Sequence, residues 1–142
     1  MSSAIIERSS FVVGEQATVE KTFTQADVEA FSAISGDVNP IHLNEDYARG
    51  TRFGARLVHG FLAASLISAV LGTKLPGPGA IYAKQSLKFR APVYPGEKLQ
   101  AMVTVTAWDG ATGRLNVTTE VRKGDVVAIT GEAELVMSAF LK

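Results

Sequence analysis

At 142 residues the chain has the length of one domain, enough to bury roughly 70% of its unfolded surface around a single core. Its 14 basic and 14 acidic residues cancel without any run of like charge, which excludes the electrostatic footprint of a nucleic-acid binder or a polybasic membrane patch. The absence of cysteine excludes a disulfide scaffold, a thiolate zinc site and a cysteine nucleophile, and fits a reducing cytoplasm. Near the start, Glu7 and Arg8 interrupt the apolar stretch that a signal peptide requires. The apolar run from 61 to 71 is far shorter than the roughly 20 residues that cross a bilayer. A soluble, cytoplasmic, single domain over 1–142 is expected, with no nucleic-acid or membrane partner.

In chain order, loose alternation from Ala17 to Phe23 gives a weak first strand. Thr24, with Asp27 three residues on, is an N-cap for a helix that carries Val28, Phe31 and Ile34 at helical spacing and stops at Gly36. Pro40 pushes Asn39 out of the helical region and lacks a donor, so Asp37 to His42 is expected to be irregular or extended, a loop. Asn44 caps a short helix that ends at Gly50. From His59-Gly60 to Gly72 runs a helix whose 61–71 stretch has only Ser65 and Ser68 as polar residues. A helix apolar on every side is expected to be surrounded. The turn-rich TKLPGPGA follows, and the rest of the chain reads as strands: 80–90, 98–107, 114–122 and 126–138. Leu99, Ala101, Val103 and Val105 mark one face of the second of these.

Early helices and late antiparallel strands make an α+β fold in which a sheet curves around the apolar helix. One sheet cannot enclose that helix and leave no edge open, so a homodimer is expected.

The chemistry gathers between Gly36 and Gly60. At neutral pH, Asp37 and His42, with reference pKa values of about 3.9 and 6.5, are a carboxylate and a mostly neutral imidazole, both able to accept a proton from water. Gly60 offers a backbone N–H without an intrahelical partner, at the positive end of the helix dipole and with no side chain in the way. A water-activating pair, a donor for an enolate-like oxygen and an apolar tunnel suggest hydration of a double bond conjugated to a thioester. Each residue also has a plainer role. Asp37 fits an Asx turn, His42 a structural histidine, Gly60 close packing, Asn39 a turn start, and Ser68 a bond back to its own turn. Tyr82, Tyr94 and Trp108 fit packing in the sheet and at its rim.

Taken together, SGDVNPIHLNEDYA and LVHGFLAASLISAVLG resemble the signature of the MaoC-like (R)-specific enoyl-CoA hydratases. The likeness continues through LPGPGAIYAKQSLKFRAPVYPGE to TGEAELVM, and the G-D-x-N-P-x-H core is met without departure. The resemblance implies a hot-dog fold, an antiparallel sheet wrapped around a long apolar central helix, in a dimer whose sheets join. It implies that Asp37 and His42 hold the water, Asn39 supports their loop and the Gly60 N–H polarises the thioester. Ser68 then corresponds to a polar helix position beside the active site, and Leu71 falls where the length of the acyl pocket is set, both as substrate-binding positions. No metal and no redox cofactor is implied, coenzyme A being part of the acyl-CoA substrate. Lys84, Lys88 and Arg90 are candidates for the CoA phosphates. A 3-hydroxyacyl-[acyl-carrier-protein] dehydratase of the same fold and a non-catalytic acyl-binding or dimerisation module are the alternatives. A hot-dog thioesterase fits less well, because FLAASLISAVL lacks the carboxylate that many of those carry on the central helix.

Overall fold

The computed structural model describes residues 4–141. Alternating apolar residues set the sheet. In β4 (Lys98–Asp109) Leu99, Ala101, Val103 and Val105 turn inward and are buried. In β5 (Arg114–Lys123) Leu115, Val117, Thr119 and Val121 do the same, as do Ala133, Leu135 and Met137 in β6 (Val126–Met137). With β1 (Gln16–Thr22) and β2 (Ala80–Gln85) these strands form an antiparallel six-stranded sheet in the order β1-β4-β5-β6-β2. The sixth strand, β3 (Lys88–Phe89), also pairs with β6, Lys88 opposite Thr130 and Phe89 opposite Ile129.

The expected single strand over 80–90 is therefore two. Register slips between Tyr82 and Lys84, and the ladder breaks at the polar middle, where the Ser86 N–H donates to the Glu132 carbonyl. Elsewhere the expected strands agree with those observed to within two residues at either end.

Helix α1 (Gln25–Ser35) starts on a full capping box. The Thr24 hydroxyl accepts from the Asp27 N–H and the Asp27 carboxylate accepts from the Thr24 N–H. It ends at Gly36, whose φ of 80° is the left-handed conformation that a side chain disfavours. The segment after it differs from the expected loop: Pro40–Leu43 is a one-turn helix, α2, and His42 lies on it. Pro40 is its first residue, where a fixed φ suits the helix and the missing N–H would have had no partner. Asn44 then caps α3 (Glu45–Arg49) through the Tyr47 N–H.

The apolar helix is α4 (Gly60–Thr73), lying on the concave face against β4, β1 and β5. Leu66, Ile67, Val70 and Leu71 are at most 5% exposed, each burial worth roughly 1.5–3 kcal/mol. This is the hot-dog arrangement. Within this chain, however, α4 is not surrounded. Phe61, Ser65, Ser68 and Gly72 are exposed at one-turn intervals along a single face, beyond the reach of the sheet's curl. At the far end of the sheet, Phe11 packs edge-on against Trp108, which also meets Phe140, so Trp108 serves packing at the rim.

Candidate active site

The N-terminus of α4 is where three segments meet. From the first, Asp37 follows the left-handed Gly36. Its N–H donates to the Ser35 hydroxyl, and its Oδ1 accepts the Asn39 N–H at 3.3 Å, closing an Asx turn. Asn39 itself caps α2, its Oδ1 accepting the Ile41 N–H at 3.1 Å. Asn39 thus shapes the bend carrying both Asp37 and His42 while lying outside the cleft they face.

His42 is 9% exposed and held from both sides. Its backbone carbonyl accepts from the Gln25 side chain at 2.9 Å, and its Nδ1 lies 2.8 Å from the Leu57 carbonyl. A carbonyl only accepts, so Nδ1 carries the hydrogen and Nε2 keeps a lone pair for the cleft.

The third segment supplies His59 and Gly60. His59 precedes α4 and is 1% exposed. Its ring stacks on that of His42, with centroids 3.8 Å apart and planes 27° off parallel, and its Nε2 is 3.0 Å from the Ser32 hydroxyl and 3.2 Å from the Asp37 carbonyl. Burial pushes its pKa below the ordinary imidazole value, so the ring is neutral. No side chain caps α4, and the first backbone bond that closes its opening turn is Ala63 N–H to the His59 carbonyl. Among the described residues the earlier N–H groups, beginning with Gly60, have no partner and lie at the positive end of the helix dipole.

These groups face a cleft of about 470 Å³ whose lining includes Asp37, His42, His59 and Gly60 as its polar end and Phe61, Phe89, Pro92 and Val93 among its apolar walls. Phe89 sits directly over Gly60. A Cβ there would come within 2.6 Å of the Phe89 ring, which would have to shift, so the glycine answers to space and not to backbone twist. Arg52 and Arg90 also line the cleft, Arg52 stacked over the Phe53 ring at 4.8 Å.

Asp37, His42 and His59 hold donor atoms within 4.8 Å of one another, the constellation among the described residues that most resembles a metal site. Two of its nitrogens are spent on Leu57, Ser32 and the Asp37 carbonyl, and the other His59 nitrogen is sealed from solvent. What remains is one carboxylate and one imidazole lone pair, short of the three protein ligands of a catalytic zinc.

The other expected site residues, Arg90 apart, lie elsewhere. Ser68 lines a second cavity of about 530 Å³ beside the uncovered face of α4, with Tyr82, Gln85 and Leu87. Phe61 and Phe89 border both cavities, their rings 6.1 Å apart. Leu71 is 1% exposed and belongs to the core, lining neither cavity. Lys84 and Lys88 are exposed on β2 and β3 and lie outside both, so of the three expected cations only Arg90 reaches the cleft. Sequence reading missed His59, Arg52 and Phe89.

A sheet curled over an apolar helix, with a carboxylate, an oriented imidazole and open helix-end donors around one cleft, defines a class: hot-dog proteins with an acid–base site. The chain belongs to the MaoC-like domain family, whose model matches residues 12–127. It is 47% identical over 126 residues to the (R)-specific enoyl-CoA hydratase of Rhodospirillum rubrum, covering 89% of this chain and 88% of that one. It is 46% identical over 121 residues to the 3-hydroxybutyryl-CoA dehydratase of Methylorubrum extorquens, covering 85% and 77%. Among solved structures, the (R)-hydratase from A. caviae involved in PHA biosynthesis superposes with a TM-score of 0.87 at 43% identity, covering 90% of this chain and 98% of that one.

Proposed function

We propose that this protein is an (R)-specific enoyl-CoA hydratase, a hydro-lyase that adds water reversibly to a trans-2-enoyl-CoA and gives the (R)-3-hydroxyacyl-CoA. The observation that carries this reading is the convergence of the Asp37 carboxylate, the His42 Nε2 lone pair and the unpaired N–H of Gly60 on one cleft. The carboxylate and the imidazole together take a proton from water and return one to the α-carbon, as the hydroxyl bonds to the β-carbon. The Gly60 N–H stabilises the thioester oxygen as it gains charge. Acid–base assistance contributes about 10²–10⁴ and an oxyanion donor about 10²–10³ in rate.

The apolar walls around Phe61 and Phe89 suit an acyl chain, and the Ser68 cavity lies in line with them along α4. Arg52 and Arg90 are the cations in reach of a CoA phosphate. The chemistry needs no metal and no redox cofactor. A homodimer is supported by the uncovered face of α4, with Phe61 69% exposed, and by the edge strand β2, whose Ile81 and Tyr82 are 45% and 43% exposed. Among the described residues no helix is long and apolar enough to cross a membrane. The cysteine-free composition fits a reducing compartment and supports a cytoplasmic location as part of this proposal.

The test is loss of enoyl-thioester absorbance with crotonyl-CoA, with the chirality of the product determined. Formation of the (R)-3-hydroxy thioester is expected. Turnover of enoyl-carrier-protein thioesters alone would move the assignment to the dehydratase of the same fold, and binding without turnover would make the domain an acyl-binding module.

A further inference from the structure

We infer that His59 is a positioning residue of this site: its imidazole ties the carboxylate-bearing turn and the His42 ring to the helix end that presents the Gly60 N–H. The inference rests on the hydratase reading and adds a residue to it. Three contacts carry it. The His59 Nε2 is 3.2 Å from the backbone carbonyl of Asp37 and 3.0 Å from the Ser32 hydroxyl on α1. Its ring lies between the rings of His42, at 3.8 Å, and Phe31, at 4.7 Å. Gly60 is the next residue in the chain. A single side chain therefore touches the residue that bears the carboxylate, the imidazole beside it and, through one peptide bond, the oxyanion donor.

The tautomer is fixed by the same contacts. The Asp37 carbonyl is only an acceptor, so Nε2 carries the hydrogen, with the Ser32 hydroxyl as a second acceptor or a neighbour. The lone pair is then on Nδ1, which is buried and has no partner among the described residues. An orphaned polar atom is a cost in a core, and a leucine would fill the space without it. Packing alone gives no reason to keep an imidazole here. The Nε2–H to the Asp37 carbonyl gives one. So does the flat face against His42, since a ring stacked on another resists tilting about the single Leu57 hydrogen bond that otherwise orients it.

Without this tie the Asx turn around Asp37 is left, among the described residues, with local bonds such as those to Ser35 and Asn39. The carboxylate then samples positions relative to Gly60 that do not serve both ends of the thioester at once. Misplacement on the scale of 1 Å lowers a rate by up to about 10²-fold.

The test is a double-mutant cycle of His59→Leu and Asp37→Asn, with crotonyl-CoA turnover, kcat and KM separated. His59→Leu is expected to lower kcat about 10- to 100-fold and leave KM within about threefold. In the Asp37→Asn background the same change should lower kcat by clearly less than it does in the wild type, because there is no longer a carboxylate to misplace and only the His42 ring is left to tilt. His59→Gln, whose amide N–H reaches the place of Nε2, should keep kcat within about fivefold of wild type. Losses that multiply independently, or a His59→Gln as poor as His59→Leu, would make His59 a packing residue only. Should His59→Leu not fold, His59→Asn, polar but too short to reach the Asp37 carbonyl, takes its place in the cycle. A readout independent of turnover is the ¹⁵N spectrum of the imidazoles. A ring that is lost in His59→Gln and protonated at Nε2 alone is expected, and protonation at Nδ1 would overturn the inference even if the wild type hydrates no crotonyl-CoA.

Discussion

Replacing Asp37 by Asn separates the turn from the chemistry. The amide keeps an oxygen where Oδ1 accepts the Asn39 N–H at 3.3 Å, and asparagine closes an Asx turn as readily as aspartate, so α2 and His42 stay in place. Asp37 is exposed and makes no ion pair among the described residues, so stability should change by less than about 0.5 kcal/mol. What is lost is the capacity to take a proton from water. That capacity is worth about 10²–10⁴ in rate, or about 3–5 kcal/mol in the barrier. The assay is crotonyl-CoA hydration followed by absorbance, beside a thermal melt of each protein. The expected outcome is a kcat at least about 100-fold lower with an unchanged melt. A kcat within tenfold of wild type would refute the assignment of Asp37 as a proton acceptor, and a parallel fall in the melt would return it to the turn.

Gly60→Ala places a Cβ 2.6 Å from the Phe89 ring, which must retreat by about 1 Å to reach ordinary contact. Because Phe89 is 50% exposed, the melt should move little, while kcat/KM falls about 100-fold as methyl and ring crowd the donor. Unchanged kinetics would remove Gly60 from the site. Arg52→Ala and Arg90→Ala should each raise the KM for crotonyl-CoA about tenfold and leave that for crotonyl-pantetheine unchanged, since only the former carries the phosphates. Equal effects on both would show that the arginines serve the cleft's shape. Burial holds His59 neutral with its pKa below the ordinary 6.5, so below about pH 6.5 the unfolded chain binds a proton that the folded one does not. Stability should then fall with pH, by at most about 1.4 kcal/mol per unit while pH lies between the folded and unfolded pKa values, and melts from pH 7.5 to 5 should show a shallower slope for His59→Gln. Identical slopes would mean that His59 is not the group that is buried neutral.

What the sequence made legible was what its neighbours decide. Thr24 and Asp27 sit one turn apart and cap each other, Gly36 supplies the positive φ that ends the helix, and alternation in 98–107 assigns each side chain to a face. Pro40 was misread because a proline that breaks a helix from within starts one from its first position. The helix at 60–73 was apolar enough to hide its open side. Only its shape shows Phe61, Ser65, Ser68 and Gly72 recurring along one uncovered face. Leu71 fell on the opposite, core-facing side for the same geometric reason. Arg52 and Arg90 are far apart in the chain, and no local pattern tells them from Lys84 and Lys88. His59 did leave a signal. Histidine is outside the set of residues that cap helix starts well, and one placed just before an apolar helix, with no capping bond of its own, has a side chain committed elsewhere.

The site owes its geometry to the core beneath it. A helix of 14 residues is marginal in isolation, so the rigidity of α4 comes from Leu62, Leu66, Ile67, Val70 and Leu71 packed on the sheet. That packing fixes the first turn in space, and with it the Gly60 N–H and, through the preceding peptide, the His59 ring. Asp37, exposed on its turn, has little burial of its own to hold it, and the buried His42 sits on a single helical turn; both are referred to that fixed end through the His59 ring. The less anchored half of the chemistry is thus referred to the rigid half through side chains, which is how a pair carried on a turn and a one-turn helix keeps the tolerance of about 0.5 Å that catalysis demands.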